Sequence, residues 1–113
     1  MSKNYHIAVV GATGAVGIEM LRVLERRAFP VASIRAFSSK RSAGKSVRFQ
    51  DEKIPVAELR HDSFRGIDIA LFSAGTPVAR EFAPIARDAG AIVIDNYDFH
   101  CIWNDMVLLG ERI

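Results

Sequence analysis

The sequence predicts an α/β fold, a parallel sheet flanked by helices, and three observations carry that prediction. Short continuous apolar runs such as Ile7 to Val10 and Ala91 to Ile94 have the character of strands buried on both faces of a parallel sheet. Between such runs stand segments whose apolar residues recur at helical spacing with charges on the opposite face. Runs and segments alternate at distances that suit right-handed βαβ units. At 113 residues the chain holds one compact core and little more.

Ile7 to Val10 is the first expected strand, ended by Gly11. From Ala15 to Arg27, Val16, Met20, Val23 and Leu24 form an apolar stripe while Glu19, Arg22, Glu25 and Arg26 take the other face. Arg26 and Arg27 suit a helix C-terminus, and Phe29-Pro30 prevents continuation. Ser33 to Phe37 reads as the next strand, and the polar, basic run Ser38 to Lys45 as an exposed loop. Val47 to Phe49 and Lys53 to Val56 flank Gln50-Asp51-Glu52 as a small hairpin. After a turn at Gly66, Ile67 to Phe72 is apolar and is closed by Ser73-Ala74-Gly75. Thr76 is placed to cap a second helix with Pro77 in its first turn; Val78, Phe82, Ile85, Ala86 and Ala89 form its stripe, and Gly90 ends it. Ala91 to Ile94 follows as a strand.

Half the residues are hydrophobic and a quarter charged, a composition too apolar for a disordered chain. Fifteen Lys and Arg against thirteen Asp and Glu leave a net charge of +2, so a pI near 9.0 reflects near balance, and no nucleic-acid partner is expected. No run approaches the ~18 apolar residues of a spanning helix, so no membrane partner is expected. Lys3 ahead of the apolar Ile7 to Val16 superficially imitates a secretion signal, but Gly11, Gly14 and Gly17 recur through it at a fixed interval. A cytoplasmic strand and turn accounts for that pattern. The single cysteine, Cys101, excludes an internal disulfide and any multi-cysteine metal site and favours a reducing compartment.

The segment Gly11-Ala12-Thr13-Gly14-Ala15-Val16-Gly17 lies between the first strand and the first helix, where backbone amides and a helix N-terminus face one volume and suit a phosphate. In a Rossmann-type fold the first glycine permits a tight turn, the second lets a pyrophosphate approach the main chain, and the third lets the helix pack on the sheet. The spacing is a variant of the commoner G-x-G-x-x-G, and a tight strand-to-helix connection is the alternative reading. A cofactor without a 2′-phosphate usually meets an acidic residue at the end of the second strand, which this chain lacks. It offers Ser38, Ser39, Lys40, Arg41 and Ser42 instead, groups that suit a phosphate dianion and favour NADP over NAD; a solvated loop is the alternative. His6, His61 and His100 lack metal-ligand spacing, Cys101 has no adjacent base, and Asp95-Asn96 closes a strand at the end where ligands collect, or simply forms a turn.

The segments AVVGATGAVG, EMLRVLERRAFPV, SSKRSAGK, DIALFSAG and EFAPIARDAGAIVIDN, in that order, resemble the N-terminal part of bacterial aspartate-semialdehyde dehydrogenases from about His6 to Asn96. The resemblance implies an NADP-binding Rossmann domain over residues 1–96, truncated before the catalytic domain, with a divergent tail at 97–113. It further implies an enzyme that reductively dephosphorylates L-aspartyl 4-phosphate to the semialdehyde in lysine, methionine and threonine biosynthesis. By this resemblance Thr13, Gly14, Ala15 and Val16 match the family's pyrophosphate turn, with Gly11 and Gly17 framing it. Arg41 and Ser42 match the 2′-phosphate clamp, Ser38 and Ser39 lie beside it, and Ser73, Ala74 and Gly75 match the loop along the cofactor. Thr76-Pro77 departs from the second glycine common there.

After Asn96 the family typically continues Ser-Ser-Ala-Phe-Arg, whose arginine binds the substrate phosphate, whereas this chain reads Tyr97-Asp98-Phe99-His100-Cys101. The family's nucleophilic cysteine and acid/base histidine lie farther along, so no catalytic residue is assigned and aspartyl phosphate is expected as a substrate only in a full-length enzyme. The expectation is an NADP(H)-binding fragment, inactive alone and open to homo-oligomer formation. The alternative is a stand-alone NADP-binding module or redox sensor without catalysis. A relative of N-acetyl-glutamyl-phosphate reductase fits SSKRSAGK and DIALFSAG less well.

Overall fold

The first strand sets the middle of the molecule because both of its faces are apolar. In the computed structural model, which describes residues 4–73 and 75–95, β1 (Tyr5–Val10) carries Ile7, Ala8, Val9 and Val10 at 0–1% exposure. Its neighbours are β2 (Val31–Ser38) on one side and β5 (Ile69–Phe72) on the other, both parallel to it. The helix α1 (Ala15–Arg26) connects β1 to β2. The hairpin of β3 (Ser46–Phe49) and β4 (Glu52–Glu58) extends the sheet beyond β2, with β4 parallel to β2 and β3 antiparallel to β4. Beyond β5, α2 (Thr76–Asp88) leads to the parallel edge strand β6 (Ile92–Asp95). The six-stranded order is β3-β4-β2-β1-β5-β6, a mostly parallel Rossmann-type sheet as the sequence predicts.

Strand alternation divides the core between the two faces. Ile7, Val9, Ala36 and Leu71 face α1 and pack with Leu21, while Ala8, Val10, Phe37, Ala70 and Phe72 face α2. On α2 the fully inward residues are Ala79, Ala83 and Ala86, small side chains that bring the helix close to the sheet. Val78, Phe82 and Ile85 are half-buried beside them. Ala89, expected on the buried stripe, is exposed, because the helix has ended at Asp88 and the chain is turning through Gly90. Thr76 is not the cap of α2: Gly75, at φ 98°, holds that position without a side-chain hydrogen bond, and Thr76 is the first helical residue.

Expected and observed boundaries differ by one or two residues, and two differences have a physical cause. Ile67 lies ahead of β5, buried in the β4–β5 connection, where Asp68 supplies bonds that anchor both neighbours: its carboxylate accepts from the His6 N–H at 2.8 Å and its carbonyl accepts from the Ile92 N–H at 2.8 Å. The same connection inserts Phe64, 1% exposed, between Phe37 and Phe72 at ring-centroid distances of 6.3 and 5.9 Å. An irregular segment thus covers a stretch of the face that a helix would otherwise cover. The hairpin turn is Gln50-Asp51 alone, both at positive φ, the geometry of a two-residue type I′ turn built without glycine.

α1 ends in a Schellman arrangement: the Phe29 N–H donates to the Leu24 carbonyl and the Ala28 N–H to the Glu25 carbonyl. Ala28 holds the left-handed position at φ 50°, whereas α2 uses Gly90 for the same purpose. No helix among the described residues is long and apolar enough to cross a membrane.

Candidate functional site

A cleft of ≈ 440 Å³ opens above the carboxyl ends of the central strands. Ligands of open α/β sheets collect there because the connections from β1 and β5 leave in opposite directions. The glycine turn forms its floor. Gly11, at φ 83°, bends the chain directly off β1, and the N–H groups of Gly11 and Ala12 donate to the Phe37 carbonyl at 2.8 and 3.2 Å. The first intrahelical bond runs from the Ile18 N–H to the Gly14 carbonyl, so the N–H groups of Ala15, Val16 and Gly17 have no helical acceptor. No side chain caps this helix, and its first turn contains no acidic residue.

The outer two glycines of the triplet and the middle one differ in what the fold requires of them. A Cβ on Gly17 would lie 2.3 Å from the Gly11 carbonyl oxygen and 2.9 Å from the Ala12 Cα, so packing of α1 on the turn excludes any side chain. A Cβ on Gly14 would meet only the Gly11 oxygen, at an ordinary 3.5 Å, and its backbone (φ −80°, ψ 166°) suits any residue. Packing therefore accounts for glycine at 17 and does not account for it at 14. What the bare position does provide is unobstructed approach to the helix N-terminus.

Of the residues singled out from sequence, the structure brings Gly11, Thr13, Gly14, Ser38, Ser39 and Ser73 to the walls of this cleft. Thr13 Oγ1 lies 3.3 Å from Ser38 Oγ. The Ser73 hydroxyl donates to the Val10 carbonyl at 2.9 Å and the Gly11 carbonyl at 3.2 Å, so its proton serves to fasten the end of β5 to the turn. Ala15 and Val16 line a different, apolar groove with Met20, Leu71 and Ile94. Arg41 is exposed and Ser42 half-buried, and neither is among the residues lining the cleft; Lys40, in the same loop, is. Gly75 precedes α2. Ala74, Asn96, His100 and Cys101 lie outside the described residues.

Five further residues, which the sequence did not mark as part of a site, complete the cleft: Val10 at the end of β1, Glu58, Leu59, Val78 and Phe82. Val78 and Phe82 carried a signal, the apolar stripe of α2, but it indicated core. Glu58 had none, since its position depends on β4 pairing with β2. Among the described residues no group of His, Cys, Asp and Glu is placed to hold a metal ion. His6 Nδ1 lies 2.7 Å from Ser33 Oγ, and His61 Nε2 lies 3.0 Å from Glu81 Oε2 with its ring edge against Phe82.

The family model for the semialdehyde dehydrogenase NAD-binding domain matches residues 6–109. The chain belongs to this family. Its family is that of a nicotinamide-nucleotide-binding domain. It is 52% identical over 96 residues to an aspartate-semialdehyde dehydrogenase of Bacillus subtilis and 49% identical over 96 residues to that of Legionella pneumophila. Each match covers 85% of this chain and 28% of the relative, so the chain spans under a third of those enzymes' length. The crystal structure of aspartate semialdehyde dehydrogenase II from Vibrio cholerae, complexed with ASA, superposes with a TM-score of 0.81 at 43% identity, covering 85% of this chain and 31% of that one.

Proposed function

We propose that this semialdehyde dehydrogenase domain binds NADP(H) for an aspartate-semialdehyde dehydrogenase acting on L-aspartyl 4-phosphate in the cytoplasm, with residues 1–96 forming the cofactor domain. The observation that carries the reading is Gly14, bare where packing would accept a side chain, at the uncapped N-terminus of α1. The pyrophosphate rests on the turn Gly11, Thr13, Gly14, Ala15 and Val16, taking the free first-turn N–H groups as donors. Gly17 holds the helix against that turn, Ser73 lines the cleft along the cofactor, and Ala74 and Gly75 follow it in the sequence. Ser38, Ser39 and Lys40 lie along the same cleft, and Arg41 and Ser42 stand next in the loop, close enough in sequence to fold onto a 2′-phosphate. When bound, the nicotinamide supplies the hydride; these residues bind and orient it.

Chemistry at an acyl group also needs a thiolate and a proton donor in the same cleft. Among the described residues that line the cleft there is no cysteine or histidine, and the role we propose for this domain is cofactor binding. Titration of the 113-residue chain with NADPH and NADH tests the reading. Tighter binding of NADPH is expected, and absence of binding by either nucleotide overturns it.

A further inference from the structure

Glu58 closes β4 at the position paired with Ser38, the last residue of β2. Paired residues of neighbouring strands direct their side chains to the same face, and both of these line the cleft. The Leu59 N–H donates to the Ser38 carbonyl at 3.0 Å, holding the two strand ends together, and Thr13 reaches Ser38 from the glycine turn. Adjacent strands are ~4.8 Å apart, so the Glu58 carboxylate stands within about one side-chain length of whatever the end of β2 holds. In a Rossmann-type sheet that is the ribose of the adenosine half, ordinarily met by an acidic residue on the second strand itself. Here β2 ends in a serine, and the carboxylate comes from the next strand out.

We propose that Glu58 is a specificity-determining residue for the ribose end of the cofactor, repelling a 2′-phosphate and accepting a hydrogen bond from a free 2′-hydroxyl. The inference rests on the reading of this cleft as a dinucleotide site. Lys40 and Arg41 attract the phosphate from the loop side while Glu58 opposes it from the sheet side, so the NADPH preference is the difference between an attractive and a repulsive element. Like charges ~7 Å apart near a protein surface, screened at physiological salt, change affinity on the order of tenfold.

The test titrates the full chain and its Glu58→Gln variant with NADPH and NADH, and with adenosine 2′,5′-bisphosphate and ADP to isolate the ribose end. Glu58→Gln should tighten NADPH and the bisphosphate on the order of tenfold without tightening NADH or ADP, and high salt should shrink the gain. Glu58→Asp, which keeps the charge, should stay near wild type. Should Gln destabilise the strand end, Glu58→Thr, a good strand former, must give the same change in ratio. An unchanged NADPH to NADH ratio overturns the proposal, whether neither affinity moves or both fall together as loss of an adenine contact would cause. Binding of neither nucleotide by wild type overturns the dinucleotide reading itself, whereas binding with an unmoved ratio overturns only the role of Glu58.

Discussion

Gly17→Ala should destabilise the protein, although glycine to alanine inside a helix ordinarily gains ~1 kcal/mol. The added Cβ would sit 2.3 Å from the Gly11 oxygen, 2.9 Å from the Ala12 Cα and 3.0 Å from the Gly11 carbonyl carbon. All three are backbone atoms, so no rotamer change relieves the overlap. The Gly11 carbonyl is also held in place, accepting from the Gly14 N–H at 3.1 Å and the Ser73 hydroxyl at 3.2 Å. Relief therefore requires α1 to withdraw from the turn, which takes Leu21 partly out of the core. Overpacking costs ~1–3 kcal/mol, and the rigidity of this contact places Gly17 at the upper end, ~3 kcal/mol. After the propensity gain the net loss is ~2 kcal/mol, which lowers the melting temperature by ~8–16 °C in a domain of this size.

Gly14→Ser is the control, since its Cβ meets only ordinary contact at 3.5 Å and serine is a better N-cap than glycine by a few tenths of a kcal/mol. Thermal unfolding of the apo protein, followed by circular dichroism, should show Gly14→Ser melting at or slightly above wild type while losing affinity for NADPH. Equal melting temperatures for Gly17→Ala and wild type, or equal losses in the two variants, would refute the division of roles between packing and ligand approach.

Arg41→Ala should weaken NADPH by ~1.5–3 kcal/mol, the value of a charged hydrogen bond, and leave NADH nearly unaffected; calorimetric titration of both nucleotides checks it, and an equal loss for the two would remove Arg41 from the clamp. Phe64→Ala should cost ~3–5 kcal/mol because the ring is fully buried against Phe37 and Phe72, a loss visible as a large drop in the urea midpoint. Ala28→Gly should raise stability by ~0.5 kcal/mol, the relief of a left-handed alanine outweighing the greater entropy of an unfolded glycine, and a melting curve suffices to check it. The 113 residues alone should not turn over aspartate semialdehyde with phosphate and NADP, whatever their cofactor affinity; turnover that vanishes in Cys101→Ser would make that thiol catalytic.

What the sequence by itself determined is local. The burial of β1 on both faces follows from an unbroken apolar run, α1 and α2 from their stripes, and the tight strand-to-helix turn from three glycines between a strand and a helix. Each of these depends on neighbours within about ten residues, where periodicity and φ preference act directly. Tertiary structure decided the rest. Phe64 occupies a connection without periodicity and becomes core only because the rings of Phe37 and Phe72 leave a space between them. Val78 and Phe82 read as core stripe and do pack against the core, yet they also wall the cleft, because α2 lies close to the sheet on alanines and leaves these larger side chains half-buried at its edge. Loop geometry, not charge, brought Lys40 rather than Arg41 into the lining. Glu58 meets Ser38 only through the parallel pairing of β4 with β2, a contact between residues far apart in the chain. Sheet order is chosen by which faces must be buried together, a global balance of burial against chain entropy, and so no short window of sequence contains it.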